Sequence, residues 1–380
     1  MQSLSKKVFV GLSGGVDSSV TALLLQKAGY DVSGVFIKTW QPDYIECTWK
    51  QDRLDAMRVA AQLGIKFVTL DLEAEYKKFV IDYFLSEYKN NRTPNPDIMC
   101  NKHIKFGAFL DYALASGADF VATGHYAKIV GGTELFAAKD QNKDQTYFLY
   151  QIKKDKLNRI LFPLADLEKS VIRKIAKKNN LWVADKKDSQ GICMLGGDVS
   201  VKDFLIRELS PKKGDVCIKD IKGNNIKIGR HDGAILYTIG ERHGFVVNKK
   251  QNTNQDTTPY FVIEKDLENN VLIVSQDIPK QNTQNKIKLE EVNILIDINN
   301  GKNISGNIFG EAVYARSRYR GELFKVLYNT EDNSVKILKD IDSLDKKYES
   351  LNNKNITCVS GQSLVMYDAS GRLLGGGVIV

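Results

Sequence analysis

No apolar run in this chain approaches the ~20 residues that a membrane-spanning helix requires, so no membrane is expected among its partners. The N-terminus, MQSLSKKVFVGL, runs straight into a strand pattern and does not read as a secretory leader, so a cytoplasmic protein is expected. Cysteine is sparse: Cys47, Cys100, Cys193, Cys217 and Cys358 are odd in number, widely spread and free of any CxxC spacing. That pattern argues against a disulfide framework or a zinc knuckle. In a reducing compartment such cysteines are either small buried hydrophobes or reactive thiols. No internal repeat is visible. What is present is a chain of 380 residues, long enough for two or three domains. Its hydrophobic content of 43% and charged content of 26% are ordinary for a globular protein. A net charge of +8 is compatible with a polyanionic partner but does not identify one.

The most informative stretch is residues 8–19, VFVGLSGGVDSS. An apolar run enters a glycine–serine loop that holds one acid, Asp17, and opens a helical pattern bearing Leu23 and Leu24. Strand, glycine-rich turn and helix N-terminus together form a phosphate grip, because unpaired N–H groups and the helix dipole face an anion. The loop lacks the Gly-Lys-Ser/Thr of a Walker A site; Val16-Asp17-Ser18 stands in that place. No lysine is therefore expected to reach the β/γ-phosphates.

Residues 1–130 alternate strand and helix patterns. Strands are expected at Lys7–Leu12, Val32–Lys38, Lys66–Leu70 and Phe120–Thr123. Helices are expected at Ser18–Ala28, Asp52–Leu63, Ala74–Tyr88 and Lys102–Ala115, the last with a stripe of Phe106, Phe109, Leu110, Ala113 and Leu114. Such alternation predicts an α/β fold with a parallel sheet, its ligands at the carboxyl ends of the strands. A further helix is expected over Ser170–Asn179. Beyond about residue 200 long helical stripes give way to short alternating runs, which read as small antiparallel barrels. The expected division is 1–198, 199–280 and 281–380.

Two cysteines have a chemical setting. Cys100 follows Asn95-Pro96-Asp97 and is expected near the N-terminus of the Lys102 helix, with Lys102 and Lys105 close by; both effects favour thiolate. Asp97 is a candidate general acid or base. Cys193 sits in Lys186-Lys187-Asp188-Ser189-Gln190-Gly191-Ile192-Cys193, a lysine-preceded, glycine-flanked loop suited to carry activated sulfur. By residue pattern alone, both also admit a structural reading. Cys47, Cys217 and Cys358 lack such a setting. Gly124 and His125, in Thr123-Gly124-His125-Tyr126, fall at the end of the fourth strand, beside the glycine loop.

SGGVDSS, NRTPNPDIMCNKHIKF, ATGHY, NKDQTYFLY and KKDSQGIC occur in that order, followed by TIGERHGF, ARSRYRG and LGGGVIV. Across essentially the whole chain these motifs resemble the bacterial tRNA-specific 2-thiouridylases of the ATP-pyrophosphatase superfamily. The resemblance implies a PP-loop catalytic domain followed by two mainly-β domains, the last contacting tRNA. It implies ATP-dependent thiolation of the wobble uridine of tRNAs for Lys, Glu and Gln. ATP adenylates the C2 oxygen of the base, pyrophosphate leaves, and sulfur displaces AMP.

By the same resemblance, Gly11, Leu12, Ser13, Gly14, Gly15, Val16, Asp17 and Ser18 wrap ATP, with Ile37 and Gly124 against the adenosine. Asp17 is expected to hold the Mg²⁺ that accompanies ATP. Asn95, Pro96 and Asp97 meet the target base. Cys193 receives persulfide sulfur from a donor protein, and Cys100 closes a disulfide with it as sulfur is released. Lys143, Asp144, Gln145, His125, Arg318, Tyr319 and Gln362 match positions that contact tRNA. The chain departs from the family at Ser360, where Pro is common, and at Glu241, where Gln is common; both bear on tRNA contact and neither on ATP or sulfur. An iron–sulfur cluster between the cysteines would need Asp97 or an external ligand, so the persulfide relay ranks above it. A non-catalytic RNA-binding protein on the same scaffold is the alternative, and the joint presence of Asp17, Asp97, Cys100 and Cys193 counts against it.

Overall fold

Runs of Val, Ile and Phe bounded by glycine become buried parallel strands. In a computed structural model, which describes residues 5–44, 48–187, 199–248, 259–277, 286–296, 313–338 and 358–380, the N-terminal part carries β1 (Lys7–Gly11), β2 (Asp31–Lys38), β3 (Lys66–Asp71) and β4 (Phe120–Ala122). A hairpin, β5 (Ala127–Val130) with β6 (Glu134–Ala137), precedes the short β7 (Ile160–Leu161). The sheet order is β3-β2-β1-β4-β7, with every neighbour parallel. Order reverses beside β1, which places a ligand crevice at its carboxyl end.

Helices cover both faces. These are α1 (Val16–Lys27), α2 (Thr48–Leu63), α3 (Glu73–Tyr76), α4 (Asp82–Lys89), α5 (Pro96–Met99), α6 (Phe109–Ala115) and α7 (Lys169–Lys178). Alternation along β1 sorts its side chains. Val8 and Val10 pack with Ala22, Leu25, Ala56 and Ala60 on one face, while Phe9 joins Tyr76, Val80, Ile104 and Phe109 on the other.

The helix expected at Lys102 begins six residues earlier. Asn95 caps it, its Oδ1 accepting from the N–H groups of Asp97 (3.1 Å) and Ile98 (3.4 Å), and Pro96 occupies the first turn. α5 then continues into a π-helical stretch, Cys100–Ala108, and into α6. Phe106, Phe109, Leu110 and Ala113 are buried as the stripe predicts, but Leu114 is 36% exposed.

The β-rich remainder opens with a helix that the sequence reading omits, α8 (Val201–Leu209), capped by Ser200. Next come β8 (Gly214–Lys219), β9 (Asn225–His231), β10 (Val246–Val247), β11 (Phe261–Asp266) and β12 (Val271–Ser275), ordered β10-β9-β8-β12-β11. This sheet is mixed, since β8 and β12 run parallel; the antiparallel expectation is corrected there. β13 (Ile287–Ile294), β14 (Val313–Arg316), β15 (Phe324–Asn329), β16 (Ser334–Ile337), β17 (Ser363–Tyr367) and β18 (Leu373–Ile379) close into a barrel around Val326, Val335, Leu364 and Met366. The barrel is bonded to the N-terminal part. The Tyr147 hydroxyl donates to the Ser363 carbonyl at 2.9 Å, and the Asn293 amide donates to the carbonyls of Tyr150 (2.6 Å) and Ile152 (2.9 Å).

Candidate functional site

The glycine loop leaves β1 at Gly11 and enters α1 at Val16. Gly14 has φ +72° and lies against the Asp52 carbonyl, so a side chain there would be strained and would collide with α2. Ser18 Oγ accepts from the Ser13 N–H at 3.2 Å, and Ser19 donates to the Gly15 carbonyl at 2.8 Å. These bonds tie the loop to its own helix and leave it shaped as an anion cradle. Ile37 lies near the end of β2, at the same sheet edge. Gly124 meets the loop from β4: a Cβ there would stand 2.8 Å from the Ser18 nitrogen and 2.9 Å from the Asp17 carbonyl carbon.

Asp17 is not an open carboxylate. Lys169, the first residue of α7, donates to both its oxygens at 2.7 and 2.8 Å, and the Tyr126 hydroxyl donates to Oδ1 at 2.9 Å. Sequence reasoning missed both partners. Tyr126 stood within ATGHY, but Lys169 is 152 positions away and carries no local signal.

His125 is buried and shares a 2.7 Å hydrogen bond with Thr123 Oγ1. Its ring lies between those of Phe106 and Phe162, at centroid distances of 5.6 and 5.9 Å. Burial, helped by the Lys105 charge, pushes its pKa well below the ordinary value, so it is a neutral imidazole. Lys105 acts on Asp97 as well. Burial raises the Asp97 carboxyl above the usual range and the lysine charge pulls it partly back. One ammonium therefore bears on both the Asn95–Asp97 segment and the strand end beside the glycine loop.

Cys100 is buried, 4% exposed, among Ile98, Met99 and Ile104. It sits one turn into the helix that begins at Pro96, close behind Asp97. The next residue, Asn101, donates to the Phe148 carbonyl at 3.1 Å and so joins this helix to the 142–150 segment. Cys193 lies outside the described residues, as does Cys47. The stretch before Cys193 is anchored near the glycine loop: Lys186 pairs with Asp52 and Asp55, each at 2.8 Å. Among the described cysteines away from the site, burial raises the thiol pKa of Cys217 and pushes that of Cys358 up to about 12.

The other candidate residues fall into two groups. Lys143, Asp144 and Gln145 lie between Asn142 and Phe148, which meet Arg320 and Tyr319 of the β14–β15 connection. The Tyr319 ring lies 4.5 Å from that of Phe148, and the Arg320 guanidinium donates to the Asn142 carbonyl. Arg318 is exposed. Asp144 is buried, and its carboxylate accepts from the Ala138 N–H (3.1 Å) and the Thr146 hydroxyl (2.8 Å), so it organises the turn. Gln145 pairs with the Tyr126 backbone. Gln362 lies apart from this group, half-buried, next to Gly361. There the Thr93 N–H donates to the Ser360 carbonyl at 2.9 Å, so this end of the barrel touches the segment that leads to Asn95.

Among the described residues no group of three or more His, Cys, Asp or Glu could hold a metal ion. No helix there is long and apolar enough to cross a membrane.

Residues 6–197 match the family described as the tRNA methyl transferase HUP domain, and residues 202–276 match the tRNA methyl transferase PRC-barrel domain. The chain is 42% identical, over 386 aligned residues, to a tRNA-specific 2-thiouridylase MnmA of Francisella philomiragia, covering 99% of each chain. It is 49% identical over 278 residues to the protein of the same name from Francisella tularensis subsp. novicida, covering 72% of this chain and 76% of that one. Among solved structures, an NMN synthetase from Francisella tularensis is similar at 21% identity and a TM-score of 0.34, over 53% of this chain and 71% of that one. With the glycine loop, the Asn95–Cys100 helix start and near-complete coverage at 42% identity in agreement, the chain belongs to the MnmA family of tRNA-specific 2-thiouridylases.

Proposed function

We propose that this protein is a tRNA-uridine 2-sulfurtransferase that thiolates the wobble uridine of tRNAs for Lys, Glu and Gln at C2, consuming ATP. The observation that carries the reading is the glycine loop tied to the start of α1, with Gly124 packed against it and the Asn95-capped helix start bearing Asp97 and Cys100. Gly124 lies against Asp17 and Ser18 of that loop, which supports a nucleotide there, and the Asn95–Asp97 segment is proposed to meet the base. The family supports tRNA as partner, and the glycine cradle supports ATP in residues 11–18, with Ile37 and Gly124 at the adenosine. Mg²⁺ enters only as part of the substrate, held by phosphate oxygens and water, since both oxygens of Asp17 are engaged by Lys169 and Tyr126. When bound, it offsets phosphate charge.

The base oxygen O2 attacks the α-phosphorus, and the bond to the bridging oxygen breaks with its electron pair leaving on pyrophosphate. Asp97, with its raised pKa, is the group proposed to manage the proton at the base. A persulfide on Cys193, loaded by a donor protein, then meets the Cys100 thiolate. Attack of Cys100 on the Cys193 sulfur forms the disulfide and releases hydrosulfide, which adds at C2 and expels AMP. An external dithiol must reduce the disulfide before the next turnover. Lys143, Gln145, Arg318, Tyr319 and Gln362 are proposed to line the tRNA surface, with His125 and Asp144 shaping it from beneath.

The test is an assay with unmodified tRNA, ATP and a persulfide-loaded donor protein, read by mass spectrometry of the nucleosides. ATP-dependent 2-thiouridine at the wobble position is expected. Tight tRNA binding without any thiolation would overturn the enzymatic reading in favour of an RNA-binding protein.

A further inference from the structure

The glycine loop lacks the lysine that a Walker loop carries, yet a lysine stands at it. Lys169 Nζ lies 2.7 and 2.8 Å from the two oxygens of Asp17, on a side chain only 12% exposed. Its backbone N–H donates to Asp140 at 3.0 Å, which fixes the start of α7. Val16, Val20 and Leu23 of α1 share one core with Ile172 and Ala176 of α7, so the two helices hold the ammonium at the mouth of the loop. A carboxylate alone at that place would repel a triphosphate. Paired with Lys169 it is neutral, and an ammonium has three N–H donors. Asp17 already accepts a third hydrogen bond, from Tyr126, so it stays partnered if Lys169 turns one donor outward.

We propose that Lys169 is a phosphate-binding residue of the ATP site, supplied by α7 in place of a loop lysine. It keeps one hydrogen bond to Asp17 and gives another to the β,γ-phosphates, so that it meets the charge that collects on pyrophosphate as the bond to the α-phosphorus breaks. This deepens, and rests on, the assignment of residues 11–18 to ATP. It separates Lys169 from a residue that merely neutralises Asp17.

The experiment is calorimetric binding of ATP, AMP and inorganic pyrophosphate to the full chain and to Lys169→Met, Lys169→Arg, Asp17→Asn/Lys169→Met and Gly14→Ala, each checked by thermal melting. Loss of one charge-assisted hydrogen bond corresponds to about 10- to 100-fold in affinity. Lys169→Met is expected to weaken ATP and pyrophosphate by that factor and AMP by less than about twofold, with Lys169→Arg in between. The double variant has no uncompensated carboxylate and is expected to stay weak for ATP. Wild-type ATP affinity in the double variant, or an equal loss for AMP and ATP in Lys169→Met, would overturn the proposal. If Gly14→Ala loses ATP while Lys169→Met keeps it, the proposal fails and the loop assignment stands. If wild type does not bind ATP, or Gly14→Ala binds it normally, the loop assignment itself fails.

Discussion

Arg320, from the barrel, donates through Nε and an Nη to the carbonyl oxygen of Asn142, in the N-terminal part, at 3.1 and 2.8 Å. The two residues are 178 positions apart, and Arg320 adopts a left-handed backbone at φ +57° to make the contact. The bond brings two motifs, NKDQ and ARSRYRG, onto one surface. It also divides the arginines of that turn: both are exposed, but the Arg320 guanidinium is bonded to the Asn142 carbonyl.

That division predicts different salt behaviour. Each phosphate neutralised adds about −0.7 to −0.9 to the slope of log K against log salt. Arg318→Ala is expected to reduce the slope for tRNA binding by about one. Arg320→Ala is expected to weaken binding at every salt concentration with the slope unchanged, because it loosens the turn and removes no phosphate contact. Salt titrations of tRNA binding by the three proteins check both; a common slope would place Arg318 off the RNA surface.

The cysteines should separate by function. Cys100→Ser and Cys193→Ser are each expected to abolish 2-thiouridine formation while still releasing pyrophosphate in the presence of tRNA, since thiols act after activation. Cys217→Ser and Cys358→Ser should change turnover little. Burial raises both thiol pKa values, Cys358 to about 12, so at pH 8 their alkylation should be slow. Full thiolation by either active-site variant with a loaded donor would disprove the relay.

Asp97 makes a pH prediction. Its carboxyl is raised by burial and lowered in part by Lys105. If it acts deprotonated, kcat/KM falls as pH drops through this raised pKa. Removing the lysine charge destabilises the carboxylate, so the pKa rises and the acid limb moves to higher pH. Lys105→Met should therefore lose activity at a pH where wild type still works and recover part of it as pH increases. A limb that moves to lower pH, or stays in place, excludes Asp97 as its origin.

Much of this was legible in the sequence, for local reasons. β1 to β4 appear within a residue or so of their expected limits because buried parallel strands are short apolar runs between breakers. The start of the Cys100 helix was also written locally, in Asn95 as cap and Pro96 behind it, but the apolar stripe alone set the expected start at Lys102. α8 is nine residues long and buries only Phe204 and Leu205, too few for a stripe; the Ser200–Asp203 cap was its signal. Lys169 at Asp17 had no local signal, because that contact exists only after α7 packs on α1. The burial of Asp144 and His125 is likewise tertiary, since a polar residue in a motif looks alike whether it faces solvent or holds a turn from within.

The barrel's hold on the Asn95 segment gives the last prediction. The Thr93 N–H donates to the Ser360 carbonyl at 2.9 Å, and Gly361 follows at φ +88°. A Cβ at 361 would stand 2.6 Å from the Thr93 nitrogen and 2.9 Å from Arg92 Cβ. Gly361→Ala is thus strained in its own backbone and pushes the barrel off the segment two residues before Asn95. The cost to stability is expected to be about 1–3 kcal/mol, the size of a backbone strain of this kind. Function should suffer unevenly. The ATP loop lies on β1 and α1 and does not touch Gly361, so ATP affinity should stay within about twofold of wild type, a free-energy change below about 0.5 kcal/mol. Thiolation should fall by more than the folded fraction explains, because Asp97 and Cys100 follow Thr93 on one rigid helix start. The measurement is thermal unfolding, ATP binding and single-turnover thiolation on the same preparation. If thiolation is normal per folded molecule, the barrel contact is only structural. If ATP binding is lost in parallel, the barrel and the loop form one unit, and the mutation reports on global order instead of on the base-binding segment.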